Sequence, residues 1–154
     1  MITTCPATQA TRSDVVRLAR QIAERHAPFA VYARGPEYFD CIGLVVYIGV
    51  KLELLPADIH IPEYCFPPSA KPFRAFDEHC TEKPLSELAE GDIVILGKMR
   101  TYFLPQHCLI ATKLKERWHL IGVLMGSSQM YTTEFLFTPD LWEQVWKVYA
   151  FKGL

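Results

Sequence analysis

No two of the five cysteines, Cys5, Cys41, Cys65, Cys80 and Cys108, are spaced as C-x-x-C, and their number is odd. That argues against a zinc ribbon and against a disulfide framework, and fits reduced thiols in a reducing compartment. His79-Cys80 and His107-Cys108 are adjacent pairs, but neighbours on a strand point to opposite faces and make poor co-ligands. No metal and no other cofactor is expected. Charge of one sign is also lacking: 16 Lys and Arg face 17 Asp and Glu, for a net charge of -1. Neither nucleic acid nor an anionic membrane is expected as a partner on that balance. Long apolar runs are missing too, since the stretch Ile42 to Val50 is far short of a bilayer span. Met1 to Pro6 shows neither the basic nor the apolar region of a secretory signal, so the expectation is no signal peptide and synthesis in the cytoplasm.

What the chain does have is a core. Half of its 154 residues are hydrophobic and 21% are charged, the balance of one globular domain spanning 1–154. From Thr11 to Ala27, Val15, Leu18, Ala19, Ile22 and Ala23 recur at helical spacing, with Thr11 and Asp14 placed as a capping pair and Pro28 as the stop. Phe29 to Phe39, with Gly35-Pro36 inside, reads as a loop. Asp40 to Leu52 suits either a buried strand or a helix by period alone; the Asp cap and the length favour a helix buried nearly all round. From Pro56 to Pro84 no period survives, and the segment reads as an irregular, Pro-rich excursion that either walls a cleft or is a surface insertion. Glu63 and Glu78 within it read as solvated surface carboxylates.

The second half is strand-rich. Gly91-Asp92 turns into Ile93-Val94-Ile95-Leu96, Gln106 to Lys113 and Arg117 to Val123 form a hairpin across Leu114-Lys115-Glu116, and Met130 to Phe137 follows. Pro139 to Gln144 suits a short helical turn and Val145 to Phe151 a last strand. Helices followed by a meander of strands is an α+β pattern, with the N-terminal helices packed on an antiparallel sheet.

The chemistry-bearing residues are Cys41, His107 and His119. A cysteine in the first turn of a helix meets unpaired N–H groups and the positive end of the dipole, which stabilise a thiolate; the bland alternative is a buried small hydrophobe. His107 and His119 share parity across the hairpin, and direct opposition requires a turn centred near Lys113. If that face meets the start of the Asp40–Leu52 helix, Cys41, His107 and His119 can serve as nucleophile, base and orienter. Trp118, Trp142, Trp146, Tyr149 and Phe151 could form a ligand platform, but aromatics at element ends are more often core or interface.

Asp40-Cys41-Ile42-Gly43-Leu44, Gly91-Asp92, His107-Cys108-Leu109-Ile110 and Trp118-His119 occur in the order of a known family pattern. The chain resembles the NlpC-type cell-wall peptidases, papain-like cysteine hydrolases, and in particular their phage-tail-associated members, over roughly Pro28 to Val123. The first helix and the tail after Met130, with Trp142 and Trp146, look like the phage version. The resemblance implies cleavage of the γ-D-glutamyl–diamino acid bond in peptidoglycan stem peptides, with Cys41 as nucleophile, His107 as base and His119 as orienter. It also implies incorporation into a phage or prophage tail particle alongside tail proteins. Tyr32, Asp40 and Gly43 are the residues expected on the substrate side. The sequence departs from the pattern at Cys108, Leu109 and Ile42, and in Phe29 to Gly35, where a Y-x-W-G-G segment is degraded. Two alternatives stay open: a catalytically silent tail-assembly module, or a thiol amidase or acyltransferase of the same fold.

Overall fold

In the computed structural model of the chain the described residues are 9–62, 71–99, 102–125 and 129–154. Cys5, Cys65, Glu63, Pro67 and Pro68 lie outside them. The first helix, α1 (Arg12–Glu24), begins on a complete capping box: the Thr11 side chain accepts from the Asp14 N–H while Asp14 accepts from the Thr11 N–H. Its apolar stripe of Val15, Val16, Ala19, Ile22 and Ala23 is buried. The helix stops at Glu24, short of Pro28, because His26 turns to a φ of 48°.

The second helix, α2 (Cys41–Lys51), starts on Asp40 as expected, and its Ile42, Leu44, Val45, Val46 and Ile48 are all buried. A helix apolar around most of its circumference is stable only when covered on nearly every side. Here α1 and the sheet supply that cover.

From residue 71 onward the Pro-rich stretch forms regular elements that its composition does not suggest. Lys71–Phe73 forms a single 3-10 turn that runs into α3 (Arg74–His79), and β1 (Cys80–Lys83) follows. Pro72 sits in the opening turn, where the missing N–H costs nothing. The remaining elements are a second 3-10 turn (Leu85–Glu87), β2 (Ile93–Met99), β3 (Tyr102–Leu114), β4 (Arg117–Met125), β5 (Met130–Leu136), α4 (Pro139–Glu143) and β6 (Val145–Phe151).

All pairings in the six-stranded sheet are antiparallel, and the order is β1-β6-β2-β3-β4-β5. It is a meander from β2 to β5, after which β6 crosses back to pair with β2. The architecture is therefore α+β, with helices on an antiparallel sheet.

Alternation sorts the strand residues onto two covered faces. Ile93, Ile95, Cys108, Ile110, Ile121, Tyr149 and Phe151 pack towards α1 and α2 in one core. Val94, Leu96, Leu109, Ala111, Leu120 and Val148 form a second cluster with Phe137, and Leu85, Leu88 and Trp142 pack against it. Burial on both faces is why Ile93-Val94-Ile95-Leu96 is a continuous apolar run rather than an alternating one. Trp118, Trp142 and Trp146 are all partly buried against these cores rather than grouped in a platform.

Candidate functional site

Asp40 organises the entrance to the site. It is only 4% exposed, its Oδ1 accepts from the Gly43 N–H at 2.6 Å, and its Oδ2 accepts from the Tyr32 N–H at 2.8 Å. One carboxylate thus starts α2 and pins the 29–39 loop beside it. Tyr32 is held at a φ of 62°, a left-handed conformation that is costly for a residue with a β-carbon. Its side chain and those of Val31 and Tyr38 are exposed at this rim.

Gly43 has the close approach that its place in the pattern suggests. A β-carbon there would overlap the Ala33 carbonyl oxygen, and that oxygen accepts from the Asp40 N–H at 3.1 Å. Of the residues expected on the substrate side, Tyr32 is exposed at the rim, while Asp40 and Gly43 are buried and build the corner behind it.

Cys41 is the first residue of α2 and is half-buried against the core. Three groups from β3 meet it. The Cys108 thiol donates to the Cys41 carbonyl oxygen at 3.1 Å. A hydrogen bond from that thiol to the Cys41 sulfur is the largest influence on its acidity; burial pushes the other way. The His107 ring, by hydrogen bond and by charge, and the Cys108 backbone N–H pull further in the same direction as the thiol. The net result holds Cys41 well below the usual thiol value of 9.0.

His107 shows the reciprocal effect. Burial lowers its pKa, but the hydrogen bond and charge of Cys41, and a hydrogen bond to the Val123 backbone carbonyl, more than offset this and raise it above the usual 6.5. Cys108 is pushed well above 9.0, first by burial and then by the side chain and charge of Cys41, with Asp40 adding to it. A thiolate–imidazolium pair backed by a protonated thiol is the state these shifts favour.

Strict alternation would send His107 to the opposite face from Cys108, alongside its partner Leu96. The β2–β3 register breaks between Leu96 and Lys98, beside His107, and such irregularities re-aim side chains. Both neighbours therefore meet Cys41, against the expectation that adjacent strand residues diverge. Among the described residues no group of three His, Cys, Asp or Glu is arranged to hold a metal ion.

His119 is not brought to this site. The β3–β4 turn is at Lys115-Glu116, not near Lys113, so His119 pairs with Thr112. Thr112 lies five residues along β3 from His107, roughly 16 Å at the strand rise. The Nδ1 of His119 is hydrogen-bonded to the Arg117 carbonyl at 3.1 Å. The backbone carbonyl of Val123, not His119, is the further hydrogen-bond partner that acts on the His107 ring.

Two parts of the site escaped sequence reasoning. The Val123 carbonyl carries no side-chain signal. Cys108 did carry one, as a thiol at a position where the sequence departs from the motif.

The other motif pair, Gly91-Asp92, is structural. Gly91 turns at a φ of 86°, and the fully buried Asp92 accepts from Arg12 at 2.6 Å, Lys83 at 2.8 Å and the Ala89 N–H at 2.8 Å.

Neither a protein-family model nor a curated protein matches the sequence. Solved structures do match the fold. An NlpC/P60 family protein from Bacillus cereus aligns at a TM-score of 0.67 and 14% identity over 94% of this chain. A lipoprotein-like NLP/P60 family protein from Staphylococcus aureus aligns at 0.58 and 11% identity over 98%. The chain spans 41% and 44% of the lengths of these two proteins. At such identities the likeness is one of fold.

Proposed function

We propose that the protein is a cysteine hydrolase of the NlpC/P60 type that cleaves peptide bonds in peptidoglycan stem peptides. The observation that carries this reading is Cys41 in the first turn of α2, in contact with a His107 ring that also meets the Val123 carbonyl. The fold neighbours, both of the NlpC/P60 family, support the same class. The papain-like description, the γ-D-glutamyl–diamino acid bond and the phage-tail setting rest on the motif resemblance.

In this reading the Cys41 thiolate attacks the carbonyl carbon of the scissile amide and a sulfur–carbon bond forms. The protonated His107 gives its proton to the leaving amine as the carbon–nitrogen bond breaks. Neutral His107 then takes a proton from water, which attacks the thioester and frees Cys41. The Val123 carbonyl fixes the ring orientation, the role expected of His119 on the motif resemblance. Tyr32 on the rim contacts the substrate, held in place by Asp40.

A second reading, a structural module of the same fold without turnover, is favoured by one observation: no third side chain is seen orienting His107 among the described residues. Two measurements decide. Iodoacetamide at pH 6 should alkylate Cys41 well ahead of the other thiols, and muropeptides should be cleaved by the native chain but not by Cys41→Ser. Cys41 alkylated no faster than Cys80, whose pKa burial pushes up to about 12, together with intact muropeptides, would leave the structural module as the answer. Selective alkylation without muropeptide cleavage would point to another amide or acyl substrate.

A further inference from the structure

The nucleophile has a second thiol against it. Cys108 is fully buried, and its S–H is directed at the backbone of Cys41 itself, 3.1 Å from the carbonyl oxygen. Cys41 is half-buried. An oxidant arriving from solvent therefore meets Cys41 first, and the modified sulfur then has Cys108 beside it. Both cysteines are free. From this geometry we infer that Cys41 and Cys108 form a reversible disulfide under mild oxidation, a modification that masks the nucleophile and protects it from irreversible damage.

With hydrogen peroxide as oxidant the chemistry balances in two steps. The Cys41 thiolate attacks one peroxide oxygen; a sulfur–oxygen bond forms, the oxygen–oxygen bond breaks and hydroxide leaves. Sulfur loses two electrons and peroxide gains them. Cys108 sulfur then attacks the Cys41 sulfenic sulfur, the sulfur–sulfur bond forms, and the sulfenic oxygen leaves as water with the Cys108 proton. The charge on Cys41 helps keep Cys108 protonated beforehand, and a sulfenic acid is neutral. The first step thus eases ionisation of the thiol needed for the second.

The pairing requires only the two thiols, whereas its meaning as an off-state rests on the hydrolase reading above. The test is read on the thiols themselves. Native protein is treated with a small excess of hydrogen peroxide, blocked with iodoacetamide and mapped by peptide mass spectrometry without reduction. The expected result is a Cys41–Cys108 cross-linked peptide, a chain lighter by two hydrogens, and near-complete recovery of both thiols by dithiothreitol. In Cys108→Ser and Cys108→Val, peroxide should instead drive Cys41 to sulfinic acid, with the dithiothreitol-recoverable fraction falling about tenfold.

Cys41 oxidised to sulfinic acid in the native chain while Cys108 stays a free thiol would overturn the inference. So would Cys41 cross-linked to Cys5 or Cys65. Should the variants fold poorly, the native map alone decides. A cross-link formed by a chain that, fully reduced, cleaves no muropeptide would sink the peptidoglycan reading and leave the disulfide standing. Muropeptide cleavage lost irreversibly to peroxide would do the reverse.

Discussion

His107 and His119 differ in what their removal should do. His107 is in contact with Cys41 and bears the charge that favours its thiolate; in the proposed hydrolase it would also give the proton to the leaving group. Substitution His107→Ala should therefore lower kcat on a muropeptide by about 100-fold to 10,000-fold. His119→Ala should leave kcat within about twofold, because its ring is bonded to Arg117 and lies about five strand residues from His107. A large loss in His119→Ala, with the Tm unchanged, would restore the orienting role to that side chain.

The pH profile follows from the two shifts. Cys41 is held below 9.0, so its thiolate persists as pH falls until the lowered pKa is crossed. His107 is held above 6.5, so its imidazolium persists as pH rises until the raised pKa is crossed. Turnover should be bell-shaped between those two points, losing the nucleophile on the acid side and the acid on the alkaline side. A profile that rises without a maximum up to pH 10 would contradict the ion pair.

At the scale of elements, the corner where the 29–39 loop meets α2 is the sensitive joint. Alanine in place of glycine inside an open helix usually gains about 1 kcal/mol. At Gly43 the sign should reverse, because the β-carbon would strike the Ala33 carbonyl and push the loop off Asp40. Gly43→Ala should destabilise by about 1–3 kcal/mol and weaken substrate binding as Tyr32 is displaced. Chemical denaturation and KM would show both effects. Unchanged stability would mean the loop yields freely.

The start of α2 was legible in the sequence because Asp40 has no other reason to precede an apolar run, and α1 because its capping residues and stripe agree. The hairpin was legible as a pair of strands but not in register. Its turn falls within the expected Leu114-Lys115-Glu116 connection, with Lys115 at a φ of 51° and Glu116 at 65°, a conformation normally flagged by Asn-Gly; without that flag the centre of the turn, and so the pairing of His119, was not fixed. α3 and β1 were hidden for a different reason: proline density masks a short helix that follows directly on the Lys71–Phe73 turn.

For the molecule as a whole, Asp92 is the point where separate regions are tied together. It accepts from Arg12 at the start of α1, from Lys83 at the end of β1 and from the turn before β2. Removing a buried partner of this kind strands the charges it held, so Asp92→Ala should cost about 3–5 kcal/mol and lower the Tm by roughly 6–20 °C. A thermal melt within about 2 °C of the native protein would show the cations finding new partners. The Gly91-Asp92 pair thus belongs to the framework behind the site rather than to its chemistry.

The strand order has a consequence in time. β2 to β5 pair with sequence neighbours, but β6 enters between β1 and β2, so Ile93 waits for Tyr149 and Cys80 for Phe151. Contacts that far apart along the chain form late. As the polypeptide emerges from the ribosome, β2 would present an open, apolar edge until β6 arrives, and such an edge can recruit other chains. Pulse-labelled hydrogen exchange during refolding should protect the β3–β4 amides before those of β1; simultaneous protection would mean that β6 docks as early as the hairpin closes. By pairing with β2, β6 is the strand that closes this edge to other chains.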